Sequence, residues 1–155
     1  MRKIAAILMF TLISMPLWSQ SKKDISWETK AVKTAPNEYD IIFTATLTDG
    51  WHVYSQFIEQ GGPIPTTFTY TKGNYSLVGK TEEKGHAEKI FDPNFEMNLI
   101  FFSGKADFVQ HIKLSGPTET VSGSFEFMIC NDKMCLPPEN IPFTVPVQYQ
   151  TVGAK

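Results

Sequence analysis

The stretch Tyr39-Asp40-Ile41-Ile42-Phe43-Thr44-Ala45-Thr46-Leu47, YDIIFTATL, alternates along its length. Ile41, Phe43, Ala45 and Leu47 would face a core while Thr44 and Thr46 face outward, the period of two of a half-buried strand. Aromatic and β-branched residues, which pack well on a pleated surface, are abundant elsewhere in the chain. Asp49-Gly50 then makes a turn, and the segment Trp51 to Phe57 runs on to Gly61-Gly62-Pro63, which marks a loop. No helix start follows Gly61-Gly62, so the pair reads as a backbone bend and not a phosphate loop. Further strands are expected at Ile25 to Ala31, Thr66 to Thr71, Tyr75 to Val78, Met97 to Phe102, Phe108 to Leu114, Val121 to Ile129 and Ile141 to Val147.

About nine short strands, separated by Gly, Pro, Asn and Asp and without a helical period, predict an all-β fold. The expected architecture is an immunoglobulin-like antiparallel β-sandwich. In its last strand Pro142 and Pro146 alternate with Phe143 and Val145, which places that strand at a sheet edge, where a missing N–H is tolerated. Lys80 to Asn94, KTEEKGHAEKIFDPN, is charged and aperiodic and is expected to be a functional loop. Trp27 and Trp51 alternate with polar neighbours and read as core aromatics.

Arg2 and Lys3 precede an apolar run from Ile4 to Leu12 that ends near Pro16 and Ser19. Residues 1–19 therefore read as a secretory signal peptide. The run is about ten residues, against the roughly 20 that a membrane span needs. Residues 20–155 have the length of one domain with its own core. With 14 Lys+Arg against 16 Asp+Glu, the formal charge of −2 provides no footprint for nucleic acid or an anionic membrane. Proteins are the expected partners.

Cys130 and Cys135, the only cysteines, lie in CNDKMCLPPEN. An oxidising compartment would pair them by default. Phe125, Phe127 and Ile129 alternate toward the core, which puts Cys130 at a strand end on the opposite face, with Glu126 and Met128. Asn131-Asp132 favours a turn, and Pro137 pushes Leu136 toward an extended conformation, so the sulfurs can meet across a short loop. As a staple the bond is inefficient, because closing six residues stabilises by about 2 kcal/mol where a loop near 100 residues gives about 4.7. Three readings stand: a passive hairpin disulfide in a binding module, a metal clamp, and a working redox pair. Zinc needs four ligands, and only His52, His86 and His111 are available to join the cysteines. Copper(I) could take both thiolates with Met128, Met134 or Met97, although methionine more often fills a core. His86 and His111 have no nucleophile near them in sequence.

The run Phe125-Glu126-Phe127-Met128-Ile129-Cys130, followed by Cys135-Leu136-Pro137-Pro138-Glu139, resembles the active-site hairpin of the N-terminal periplasmic domain of DsbD, the thiol:disulfide interchange protein. Asp49-Gly50-Trp51-His52-Val53-Tyr54 resembles that family's strand of tyrosines beside the disulfide. Two separate stretches thus point to one family, which ranks the redox reading first.

The resemblance implies a reversible disulfide on an immunoglobulin-like sandwich in the periplasm, with no metal or organic cofactor. Cys135 would be the attacking thiol and Cys130 its resolving partner, through a mixed disulfide. His52, Tyr54, Pro137 and Pro138 would form the surroundings, His52 standing where the family has a tyrosine and able to exchange protons near neutral pH. The family covers its disulfide with an aromatic cap, for which Phe91 is the candidate and Phe95 the second choice. The loop between the cysteines is one residue shorter than in well-known members. Lys133 would favour a thiolate, whereas Asp132 and Glu139 would oppose it. The electron donor is expected in trans, a thioredoxin-like protein or a membrane thiol reductase, with oxidised periplasmic proteins as acceptors.

Overall fold

The computed structural model describes residues 24–93 and 95–151, and the expected signal peptide, residues 1–19, lies outside them. The alternation of YDIIFTATL is realised in β2 (Glu38–Leu47), where Tyr39, Ile41, Phe43, Ala45 and Leu47 are all buried. β2 pairs antiparallel with β1 (Ile25–Ala35) across a turn at Asn37, whose φ of 62° asparagine tolerates better than most residues. The spine of this sheet is β6 (Met97–Leu114). Along one edge it pairs with β5 (Tyr75–Asp92); its other edge is shared by β2 toward the C-terminal end and β3 (His52–Tyr54) toward the N-terminal end. β8 (Ile129–Cys130) pairs in turn with β3. The second sheet has the order β4 (Thr67–Tyr70), β7 (Thr120–Phe127) and β9 (Glu139–Pro146). The result is an all-β, immunoglobulin-like antiparallel sandwich, and no helix among the described residues is long and apolar enough to cross a membrane.

The core lies between the sheets. Phe43 is fully buried, with its ring 5.4 Å from Phe125 and 4.8 Å from Phe143 of the facing sheet and 4.6 Å from Phe68. Trp27 stacks at a tilt on Phe125 and Phe127, 4.7 and 5.0 Å away, and Trp51 packs against the same core. β9 is the outer strand of its sheet, and along it Pro142 and Pro146 are exposed while Phe143 and Val145 are buried. Gly123 is obligatory between β4 and β9, because a Cβ there would sit 2.0 Å from the Thr69 carbonyl oxygen.

Two expectations are corrected. The segment Lys80 to Asn94 is not a loop, because β5 continues to Asp92 and pairs with β6 from Tyr75↔Leu114 to Asp92↔Met97. Most of its side chains are exposed on both faces, so backbone hydrogen bonds hold it and no hydrophobic period marks it. The strands expected at Met97 to Phe102 and Phe108 to Leu114 are one strand, interrupted in pattern by the exposed Ser103-Gly104-Lys105 with Gly104 at φ 68°.

Phe43→Ala is expected to lower the free energy of unfolding by about 3–5 kcal/mol. Leu77→Ala, on exposed β5, should change it by about 0.5 kcal/mol or less. Denaturant midpoints of the two variants check the contrast.

Candidate functional site

The strands that bury one face of the larger sheet carry a second set of side chains on the other. In β3 Val53 faces the main core, so His52 and Tyr54 face outward. In β6 Phe102 faces the core and Phe101 and Leu99 do not; in β8 Ile129 faces the core and Cys130 does not. Tyr54, Leu99, Phe101 and Cys130 thereby form a second apolar cluster, against which Ile58, Met97 and Met128 pack. Cys130, only 2% exposed, is at its centre. The chain reaches it by leaving the smaller sheet after Phe127 and joining the larger one at Ile129.

The hairpin that follows explains the pairing of the sulfurs. The Asn131 N–H donates to the Met134 carbonyl and the Leu136 N–H to the Ile129 carbonyl, each at 2.9 Å. Cys130 and Cys135 are thus a non-hydrogen-bonded antiparallel pair, the register in which facing strands approach closest. Their Cα atoms are 4.0 Å apart and a disulfide joins them. The Asn131 side-chain oxygen accepts the N–H groups of Lys133 and Met134, both at 2.9 Å, so the turn is closed from within. Cys135 is exposed on the outer arm; Leu136 tucks against the main core, and exposed Pro137 and Pro138 lead stiffly into β9.

His52 lies directly across from Cys130 in the β3–β8 register and across from Ser103 in the β3–β6 register. Its ring packs 4.3 Å from that of Phe101 and edge-on to Tyr54, whose hydroxyl is 3.2 Å from Nε2. Burial pushes the His52 pKa below 6.5, against the opposing pull of Asp132, Glu88 and Asp92. Burial, with Asp92 adding to it, pushes the Tyr54 phenol up to about 12. The end of β3 is held in place: the Thr66 hydroxyl donates to the Tyr54 carbonyl at 2.5 Å, and the Ser55 hydroxyl and Gln56 N–H donate to the Glu83 carboxylate at 2.8 and 2.7 Å.

A pocket of about 280 Å³ opens over the disulfide. Its walls are His52 and Tyr54 of β3, the two cysteines with the turn between them, and Ile90, Asp92 and Phe95 from the β5–β6 hairpin. All three methionines among the described residues are here, Met97 and Met128 beneath the cluster and Met134 on the rim. No group of three or more His, Cys, Asp or Glu that could hold a metal occurs among the described residues.

The family model for thiol:disulfide interchange protein DsbD, N-terminal, matches residues 23–146. The chain belongs to the DsbD N-terminal family. Among solved structures, the N-terminal periplasmic domain of ScsB from Proteus mirabilis superposes with a TM-score of 0.58 at 14% identity, over 88% of this chain. This chain spans about half, 49%, of that one, and the likeness is one of fold. The reduced DsbD N-terminal domain of Neisseria meningitidis is 18% identical over 79% of this chain and 86% of its own, with a TM-score of 0.41. A search of curated proteins returned no match.

Set in this DsbD-type fold, Cys130, Cys135, His52 and Tyr54 meet at one pocket. Phe91 does not join them. Ile90 and Asp92 turn toward the disulfide, and side chains alternate along a strand, so Phe91 between them faces away and is 62% exposed. Phe95, beyond the hairpin turn, is the aromatic at the pocket. Asp92, Ile90, Leu99 and Phe101 were not legible as site residues, because only strand register brings them to the cysteine hairpin, Leu99 and Phe101 through β6–β3–β8 and Ile90 and Asp92 through β5–β6. His111 is elsewhere, 2.7 Å from Asp40 and 3.5 Å from Glu38, and His86 is exposed on β5.

The unfolded chain protonates His52 near pH 6.5 and the folded protein only at lower pH. Stability held by neutral His52 is therefore whole above that pH and is lost as pH falls through the folded value. His52→Gln should flatten this acid limb, read as urea midpoints at about pH 7.5 and about pH 5. An unchanged slope would contradict a buried neutral imidazole.

Proposed function

We propose that this domain is a thiol-disulfide exchange module of the periplasm, reached through the signal peptide of residues 1–19. In this reading it carries an electron pair between protein partners on Cys130 and Cys135. The observation that carries the proposal is the asymmetry of the pair: Cys135 is exposed and Cys130 is 2% exposed. A thiolate on another protein can reach only the outer sulfur, and a buried sulfur is shielded from side reactions while it waits to resolve the adduct.

In the reduced domain the Cys135 thiolate attacks a partner's disulfide, forming a mixed disulfide and releasing one partner thiolate. Cys130 then attacks the Cys135 sulfur, closing the internal disulfide and releasing the partner's second thiol. The partner gains two electrons and the domain loses two. A thioredoxin-like protein or a membrane thiol reductase would restore the dithiol by the reverse exchange, and oxidised exported proteins would be the acceptors. Exposed Ile90, Phe95 and Met134 around the pocket give such partners an apolar surface to meet. The chemistry uses only sulfur and protons, so no cofactor is called for.

Two single variants, reduced, test the order of events against a thioredoxin variant that keeps only its exposed active-site cysteine, activated as a mixed disulfide with thionitrobenzoate. Cys130→Ser should accumulate a mixed disulfide that survives non-reducing electrophoresis, and Cys135→Ser should accumulate none. Equal trapping by both, or by neither, would contradict the assignment of Cys135 as the attacking thiol.

A further inference from the structure

The exchange reading leaves one physical problem unsolved, and the geometry around it supplies an answer. Cys130 must act as a thiolate when it resolves the mixed disulfide, yet it is buried in the cluster of Tyr54, Leu99 and Phe101, where a lone negative charge is costly and a thiol keeps its proton. Some group next to Cys130 has to take that proton.

We propose that His52 is the proton acceptor for the Cys130 thiol. This inference rests on the exchange reading and specifies how its second step is made possible. His52 is the cross-strand partner of Cys130, and both project from the outer face of the sheet. Directly paired residues on one face have Cβ atoms about 4.5–5.5 Å apart, within reach of an imidazole nitrogen and a thiol. The ring is pinned from two sides, by Phe101 at 4.3 Å and by the Tyr54 hydroxyl at 3.2 Å from Nε2. In the tautomer that can accept, Nε2–H donates to the phenol oxygen and Nδ1 is the bare nitrogen left for the sulfur.

The charges around His52 suit the task. Asp132 from the turn and Glu88 and Asp92 from β5 are the carboxylates that act on it, and Lys133 is the cation that lines the same pocket. Glu88 is oriented by the Ser103 hydroxyl, 3.1 Å away, and Ser103 is the residue paired with His52 on its other side. Burial keeps the resting imidazole neutral and ready to accept, while three carboxylates favour the imidazolium once the proton arrives. Tyr54, a phenol pushed up to about 12, stays protonated throughout and serves as a fixed hydrogen-bonding partner.

The step balances. The proton passes from the Cys130 sulfur to His52, the resulting thiolate attacks the Cys135 sulfur, the bond between Cys135 and the partner breaks, and the electron pair leaves on the partner's sulfur. His52 then gives its proton to water or to the departing thiolate. In the reverse direction an imidazolium would protonate the leaving Cys130 thiolate.

The symmetric disulfide of thionitrobenzoate separates this step from the first one. Mixed with reduced protein in a stopped-flow instrument, it releases one yellow thiolate when Cys135 is captured and a second when Cys130 closes the ring. In the native protein the second phase should hold its rate from about pH 8 down to about pH 6.5 and fall below it. In His52→Gln the first phase reports the capture of Cys135 and is the reference for the second. Its second phase should be slower by about tenfold or more at pH 7 and recover only as pH rises toward about 8.5, where a thiol ionises unaided. Glutamine retains a partner for Tyr54 without titrating, and His52→Phe, checked for retained β-sheet circular dichroism, is the second variant. Native-like second phases with an unchanged pH profile in either folded variant would overturn the proposal. Loss of the second phase in Cys130→Ser is the separate control: its persistence there would overturn the exchange reading itself.

Discussion

The period of two in a β-strand is the constraint on which this molecule depends. Each strand of the larger sheet that buries a residue in the main core must present its neighbours on the other face. Val53 commits His52 and Tyr54 outward, Phe102 commits Phe101, and Ile129 commits Cys130. The core and the pocket over the disulfide are therefore two sides of one set of alternations, and a slip of one residue in any of these strands would exchange them. The disulfide is itself a product of register, since the antiparallel pairing of Cys130 with Cys135 is of the non-hydrogen-bonded kind, in which facing residues approach closest, and in the bonded pair the Cα atoms are 4.0 Å apart.

A second consequence is the different exposure of the two sulfurs. Cys130 belongs to a paired strand and is enclosed by its cluster, whereas Cys135 is on the outer arm of a turn that Asn131 closes by accepting two backbone N–H groups. That turn manages with four residues between the cysteines because its polar needs are met locally. The protein thus has an accessible sulfur and a protected one, as sequential thiol exchange requires.

Much of this was legible in the sequence, for identifiable reasons. YDIIFTATL shows its face directly because one side is buried and the other is wet, and Pro142 and Pro146 betray an edge strand by the hydrogen bonds they cannot make. The cysteine hairpin and the His52–Tyr54 strand were visible as local motifs. β5 was not, because it is an edge strand whose side chains are mostly exposed on both faces, leaving pairing without a hydrophobic pattern. The pocket wall formed by Ile90, Asp92 and Phe95 was hidden with it, and Phe91, the aromatic expected over the disulfide, turns away for the same reason of parity that turns Asp92 toward it.

The central claim is that the Cys130–Cys135 bond works by opening and closing. The most direct test is its reduction potential, measured by equilibrating the protein in thiol redox buffers and counting alkylated cysteines by mass. The account predicts a value between about −180 and about −270 mV, within the range of proteins that exchange disulfides. A value below about −300 mV would mark a structural bond that the compartment never reduces, and would contradict it.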